Sequence, residues 1–188
     1  KLDTYLKKMD KYIMFSVASG NDVNDLVVRV NYKLRKRKIL IISAGEDVHL
    51  STYKRELELM GADIKIAAEP SLFGNGDWDG VLISGEGDFT TDVYKNLVGV
   101  AAEKKLVLGL IGKSPAALTL AADLYKDKKL TMDKEVSPLA IKAGFNYTGK
   151  EVEVDSHVVT STGFDRQTAK AFLEAFADIV SRKTEARD

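Results

Sequence analysis

Cysteine is absent from this sequence, and its absence excludes several kinds of chemistry. Without thiols the chain can form no disulfide, no thiolate zinc site and no cysteine nucleophile. Its two histidines lack the spacing of a zinc site, so we expect no metal and no bound cofactor. No apolar run approaches the about 20 residues of a membrane span, and no signal-peptide core is present. We therefore expect a cytoplasmic protein with no membrane partner.

The net charge is zero, but the charges are unevenly distributed. Residues 1–38 contain ten Lys or Arg against four Asp or Glu, a surplus of +6, so residues 39–188 carry −6. The basic run Arg35-Lys36-Arg37-Lys38 has no aromatic residues between its charges and leads directly into a predicted strand. We interpret it as a solvated face or one that docks on the rest of the chain. A nucleic-acid partner is the less favoured alternative.

From Lys38 onward, buried strands alternate with amphipathic helices. Continuous apolar runs predict parallel strands covered on both faces, at residues 39–42, 64–68, 80–84 and 106–111. Helical spacing predicts helices at about 47–60, 91–103, 116–124 and 166–182, and two short strands flank a turn at 156–157. The pattern predicts an α/β fold with a doubly wound, mostly parallel, flavodoxin-like sheet and helices on both faces.

The N-terminal part fits this pattern less well. Residues 12–18 have the composition of a strand, and residues 28–34 alternate apolar and polar side chains, which favours a second strand. A helix capped at residues 19–22 is the alternative for this second segment. We therefore predict two parts, a basic extension at 1–37 that packs on the domain, and the α/β domain at 38–188. Because the sequence begins at Lys1 and not at a methionine, we expect residues upstream of it.

Four segments that follow or form strands resemble, in order, the motifs of one family. They read Glu-Asp-Val-His-Leu at 46–50, Asp-Gly-Val-Leu-Ile-Ser-Gly-Glu at 79–86, Ile-Gly-Lys-Ser-Pro at 111–115 and Val-Glu-Val-Asp-Ser-His-Val-Val-Thr-Ser at 152–161. Together they resemble the ThiJ/PfpI family of the class I glutamine-amidotransferase-like superfamily, over residues 38–182. The resemblance supports the predicted fold and implies a homo-oligomer, a dimer or larger, as is common in that family.

The positions that carry the family's chemistry differ in this chain. The resemblance aligns the family's nucleophilic cysteine with Gly112, its neighbouring histidine with Lys113, and the second glycine of its oxyanion loop with Glu86. A glycine offers no nucleophile, and a carboxylate disfavours a developing negative charge nearby. The family's peptidase, amidase or deglycase mechanism should therefore be absent, and the chain is interpreted as a pseudoenzyme.

Two functions remain open. The first is a catalytically degenerate protein that binds a small molecule or serves in assembly. The second is a hydrolase or glyoxalase-like enzyme acting on small carbonyl or amide compounds through Glu46, Lys113 or Ser114. The candidate pocket residues, gathered at the carboxyl ends of strands, are Glu46, His49, Gly85, Glu86, Gly112, Lys113 and Ser114.

Each candidate also has a plainer interpretation. Glu46 could cap its helix or pair with Lys113, and Lys113 could pair with Glu46 or Glu86 instead of binding an anion. Ser114 could be the helix N-cap ahead of Pro115 and not a nucleophile. His157, in a turn between strands, is expected to be exposed.

The passage from the second to the third strand of the domain is short compared with the family. Residues 69–78 leave no room for the β-hairpin that the family usually has there. An uncovered sheet edge or apolar face would be prone to aggregation. We therefore expect residues 12–34 to fold onto the domain, on their own subunit or a neighbouring one, and to cover it.

Overall fold

The structure is a computed structural model that describes residues 14–17, 26–29 and 33–185. Its strands are β1 (Met14–Val17), β2 (Leu26–Arg29), β3 (Lys38–Ala44), β4 (Asp63–Ala67), β5 (Gly80–Gly85), β6 (Val107–Ile111), β7 (Lys129–Leu130), β8 (Asn146–Tyr147), β9 (Val152–Asp155) and β10 (Val158–Ser161). Its α-helices are α1 (Leu50–Leu59), α2 (Asp92–Glu103), α3 (Ala122–Tyr125), α4 (Ser137–Lys142) and α5 (Arg166–Glu185), with 3₁₀ helices at Pro70–Asn75 and Ser114–Ala121.

The main sheet has six strands in the order β4-β3-β5-β6-β10-β9. All neighbouring pairs are parallel except β9 and β10, which form the antiparallel hairpin predicted around residues 156–157. The central strands are buried along most of their length because apolar residues fill both faces. The predicted doubly wound, mostly parallel sheet is confirmed.

Two apolar cores, one on each face of the sheet, hold the helices in place. On one face, Leu40 and Ile83 pack with the buried side of α2. On the other, Ile41 and Leu82 pack with α1 and with Phe172 and Phe176 of α5. Alternate residues of one strand thus belong to different cores, as the two-residue period of a strand requires.

The order of the strands places a crevice at the carboxyl ends of β3 and β5. From β3 the chain passes to β4 on one side and then to β5 on the other side. At such a switch point the connections leave in opposite directions, and open α/β sheets bind ligands there. The segments after β3, β5 and β6 therefore form the place to look for a site.

The N-terminal strands differ from the sequence prediction. β1 and β2 form an antiparallel pair, but β2 covers residues 26–29 and not 28–34. Residues 33–36 form a turn, in which the Leu34 side chain is completely buried against the core that contains α1 and α5. The Leu34 N–H donates to the Met60 carbonyl at 2.8 Å. Burial of one leucine and this bond explain why residues 33 and 34 are not part of the predicted strand. Residues 1–13, 18–25 and 30–32 of the extension lie outside the described part.

Several helices also begin or end elsewhere than predicted. α1 begins at Leu50 and not near 47, because the Asp47 carboxylate accepts the His49 N–H at 3.0 Å and forms a turn before the helix. The predicted helix at 116–124 is a 3₁₀ helix followed by the single turn of α3. As expected, the passage at 69–78 contains no hairpin, and a 3₁₀ helix occupies it. Among the described residues, no helix has the length and apolarity to cross a membrane.

Candidate functional site

The carboxyl end of β3 presents a carboxylate that the sequence analysis overlooked. Asp47 accepts hydrogen bonds from the Ser84 hydroxyl at 2.6 Å and the Ser43 hydroxyl at 3.3 Å. Ser84 is fully buried at the end of β5, so the bond to Asp47 joins the two strands at the switch point. Tyr53 of α1 is also buried beside this carboxylate. We refer to Ser43, Asp47, Tyr53 and Ser84 as the Asp47 cluster.

Tyr53 is held in its neutral form. Burial is the largest cause that raises the pKa of its phenol, and the charge and hydrogen bonding of Asp47 raise it further. The ring packs edge-on against Phe164 with 4.2 Å between centroids. A phenol that stays neutral cannot act as a general base near neutral pH.

The two sequence candidates nearest this cluster have different surroundings. Glu46, predicted as a pocket residue or helix cap, is exposed, and its side chain has no hydrogen bond or ion pair within the described part of the chain. The inward-facing carboxylate is its neighbour, Asp47. His49 is half-buried at the N-cap of α1 and lies 5.3 Å from the Phe164 ring, centroid to centroid. The other histidine, His157, is half-buried and not exposed as predicted.

At the end of β5, a glycine is required because two backbone segments touch. Gly85 has φ +100°, and a β-carbon there would lie 2.2 Å from the Ala44 carbonyl oxygen. This close approach brings the segment after β5 onto the end of β3, where the Gly87 N–H donates to the same carbonyl at 3.0 Å. The next residue, Glu86, consequently projects from the crevice, and its side chain is 65% exposed.

After β6 the backbone makes the turn at which the family resemblance places the nucleophile; we refer to residues 111–114 as the elbow. Gly112 has φ +66°, in the left-handed region that favours glycine. Its N–H donates to the Ser161 carbonyl at 3.0 Å, and its carbonyl accepts the Asp133 N–H at 2.9 Å. Apart from its two neighbours in the chain, a β-carbon added at Gly112 would meet no atom within 4 Å. The turn is therefore fixed on both sides, with open space where a side chain would project.

Lys113, beside that space, is bound by two carboxylates. Its ammonium lies 3.0 Å from Glu86 and 3.1 Å from Glu135. Hydrogen bonds from these groups are the largest causes that raise the pKa of Lys113, to about 12. The predicted pair of Lys113 with Glu86 is confirmed, and Glu135 is a partner that the sequence did not indicate. We refer to Glu86, Lys113 and Glu135 as the Lys113 cluster.

The Ser114 hydroxyl is fully engaged inside the protein. It accepts the Ile111 N–H at 2.8 Å and donates to the Ile83 carbonyl at 2.8 Å, and the residue has no exposed surface. The predicted N-cap role is wrong, because Ser114 is the first residue of its 3₁₀ helix and its hydroxyl joins the ends of β5 and β6 instead. A buried hydroxyl with its proton donated to a carbonyl is poorly placed to attack a substrate.

The three polar side chains that the sequence suggested for catalysis differ in their surroundings. Lys113 is protonated and neutralised by two carboxylates, Ser114 is buried, and Glu46 has no partner within the described residues. Five of the predicted site residues lie together at the ends of β5 and β6: Gly85, Glu86, Gly112, Lys113 and Ser114. His49 is linked instead, through its N–H, to Asp47.

Comparison with known proteins gives the same picture of the fold. Residues 58–178, more than half of the chain, match the model of the DJ-1/PfpI family. No curated protein sequence matches this chain significantly.

Solved structures of this family superpose on the chain with low sequence identity. A ThiJ/PfpI domain protein from Brachyspira murdochii is 16% identical with a TM-score of 0.64, over 79% of this chain and 98% of that protein. DJ-1beta from Drosophila melanogaster is 16% identical with a TM-score of 0.62, over 81% and 97%. A two-domain protein from Anabaena variabilis, with DJ-1/ThiJ/PfpI-like and ferritin-like domains, is 20% identical with a TM-score of 0.62, over 79% of this chain and 48% of that one. The chain belongs to the DJ-1/PfpI family.

Proposed function

We propose that this protein is a catalytically degenerate member of its family that binds a small molecule in the crevice at the elbow. The observation that carries the proposal is the backbone at Gly112, which keeps the left-handed turn and open space after β6 but supplies no nucleophile. Loss of a catalytic side chain leaves room in which part of a ligand fits.

The surrounding charges support binding and not turnover. Lys113 is held as an ammonium between Glu86 and Glu135, so it serves neither as a base nor as an amine nucleophile near neutral pH. The enzymatic alternative through Glu46, Lys113 and Ser114 lacks an activated group, since the Ser114 hydroxyl bonds to two backbone groups. Purified protein should therefore show no turnover of methylglyoxal or peptide substrates. Turnover that survives both Lys113→Ala and Ser114→Ala would mean that the site lies elsewhere.

The proposal is tested by a thermal-shift screen against small metabolites, because a ligand that binds the folded state raises the apparent melting temperature by mass action. Each hit is then measured against Gly112→Asn, whose side chain fills the space at the elbow. Asparagine tolerates positive φ better than most residues, so the backbone can be retained.

A matched control is available in the chain. Gly144, in the turn after α4, has φ +84°, and an added β-carbon there likewise meets no atom within 4 Å apart from its two neighbours in the chain. Gly144→Asn should carry the same backbone cost and retain the ligand-induced shift, whereas Gly112→Asn should lose it. Equal shifts in both variants would place the ligand away from the elbow, and a screen without any hit would count against a binding function.

A further inference from the structure

The hairpin formed by β1 and β2 lacks a partner sheet in the described structure. Its strands pair with each other over four residues, from Met14 opposite Arg29 to Val17 opposite Leu26, and form a sheet separate from the main one. An isolated two-stranded hairpin is at best marginally stable in water and needs a third strand or other cover. A surface that receives this hairpin is therefore expected.

The main sheet has an open edge at β4. Among the described residues, β4 pairs with β3 on one side and has no strand on the other. At the opposite edge, β9 is flanked by the segment around β7, where the Lys129 N–H donates to Asp155 at 2.9 Å. Ile66, Lys65 and Asp63 of β4 are exposed, with Ile66 38% exposed. A parallel sheet edge with free N–H and carbonyl groups accepts an added strand.

The segment that connects the hairpin to the rest of the protein is attached near the start of β4. Lys33 forms an ion pair with Asp178 of α5, and the buried Leu34 bonds to Met60 at the end of α1. The Asp63 N–H, at the start of β4, donates to the Arg37 carbonyl at 2.7 Å. Only residues 30–32 separate β2 from this attachment, so the donor hairpin and the acceptor edge lie at the same corner of the molecule.

We infer that the hairpin adds to the β4 edge of a second copy of this chain, in a reciprocal exchange of N-terminal arms. In the described structure β2 and β4 belong to separate sheets, so the hairpin of one chain does not pair with its own β4. Because donor and acceptor lie at one corner, a two-fold axis beside β4 allows both copies to donate and accept at once. The surplus of +6 in residues 1–38 and of −6 in the remainder favours this association by charge.

The backbone geometry of β4 identifies the atoms that would receive the added strand. Since the Asp63 N–H points towards β3, and successive residues of a strand point alternately to its two sides, the N–H groups of Ile64 and Ile66 point outwards. Ile66→Pro removes an outward donor without removing a bond to β3, as edge strands tolerate. Ile66→Val retains the donor and is the matched control.

The first test is the oligomeric state of the full chain by sedimentation. We expect a dimer for the original protein and for Ile66→Val, with a dissociation constant raised about tenfold in Ile66→Pro, the effect of roughly one lost hydrogen bond. Circular dichroism checks that each variant remains folded. A monomeric original protein at micromolar concentration, or a folded Ile66→Pro that associates as tightly as Ile66→Val, would overturn the inference.

The second test uses the lack of cysteine in the sequence, which makes every introduced thiol unique. Full-length Val28→Cys, on β2, is mixed under oxidising conditions with full-length Lys65→Cys, on β4, and in parallel with Lys142→Cys, an exposed residue of α4. A disulfide-linked heterodimer should form with Lys65→Cys well above the level seen with Lys142→Cys. Equal yields would contradict the exchange. A double variant, Val28→Cys with Lys65→Cys, that closes only within single chains would show instead that the hairpin covers its own β4.

Discussion

The Asp47 cluster and the Lys113 cluster both lie at the carboxyl ends of the strands, yet they differ in burial. Ser84 and Tyr53 are almost completely buried, and they bond to or pack beside a single carboxylate. Glu86 and Glu135 are 65% and 74% exposed, and they reach one ammonium from two separate loops. In water, exposed ion pairs add little stability, whereas buried hydroxyls that lose their acceptor are costly.

This difference in burial indicates which end of the crevice stabilises the fold. The Asp47 cluster joins β3, β5 and α1, so it fixes the switch point of the fold. The Lys113 cluster lies beside Gly112, and its exposed ion pairs can be broken at small cost. Substitutions in the two clusters should therefore separate stability from binding.

The largest effect is expected from Asp47→Ala. The substitution leaves the Ser84 hydroxyl and the buried Tyr53 without their charged acceptor, so the free energy of unfolding should fall by about 2–3 kcal/mol. Urea denaturation measures it, with Glu46→Ala as the adjacent control, expected within about 0.5 kcal/mol of the original protein. Equal losses in the two variants would show that the two carboxylates are equivalent and that the Asp47 cluster has no special role.

A smaller loss is expected from Ser114→Ala. The variant leaves the Ile111 N–H and the Ile83 carbonyl without their shared hydroxyl, at a cost of about 1–2 kcal/mol. Ser51→Ala, on the exposed face of α1, is the control and should be near neutral. If Ser114→Ala unfolds at the same urea concentration as Ser51→Ala, the hydroxyl is free, and its use as a nucleophile must be reconsidered.

The Asp47 cluster also predicts a dependence on alkaline pH. The folded protein favours the neutral phenol of Tyr53, so the unfolded chain loses that proton first as the pH rises above about 10. The contribution of Tyr53 to stability is therefore constant below that pH and decreases above it. The melting temperature of Tyr53→Phe should therefore fall less between about pH 9 and pH 11, around the ordinary pKa of tyrosine, than that of the original protein. Identical slopes for the variant and the original protein would remove the role assigned to this phenol.

The smallest effect on stability is expected from Lys113→Gln. Its carboxylate partners are exposed and screened by salt, so the melting temperature should change no more than for Lys142→Gln on α4. The substitution should instead change the dissociation constant of any ligand found in the screen. A large loss of stability that salt does not reduce would show that the Lys113 cluster is as structural as the Asp47 cluster.

The strands of the domain could be predicted because burial determines which residue types a strand contains. A strand covered on both faces must be apolar throughout, as 39–42 and 106–111 are, and the structure has β3 and β6 there. The glycine at 112 could likewise be assigned to the elbow by resemblance, and its positive φ agrees with that assignment.

The sequence alone does not show which of two adjacent polar residues turns inward, or which groups a polar side chain bonds to. Whether Glu46 or Asp47 turns inward depends on the Ser84 hydroxyl, which lies 37 residues away in the chain. Ser114 precedes a proline like many N-caps, but its hydroxyl is used by backbone groups of β5 and β6. The Asx turn from Asp47 to His49 is the one local signal that could have identified Asp47.

Our main conclusion is that the elbow has a left-handed turn with open space at Gly112 but no nucleophile there. Gly112→Cys tests it directly, because it introduces the only thiol in the sequence, and Gly144→Cys provides a thiol on a turn of the same handedness. The measurement is the rate of alkylation by iodoacetamide at neutral pH in the folded proteins. We expect Gly112→Cys to react at least as fast as Gly144→Cys. A thiol at position 112 that is protected until the protein unfolds would show that the space is closed and that the elbow cannot receive a ligand.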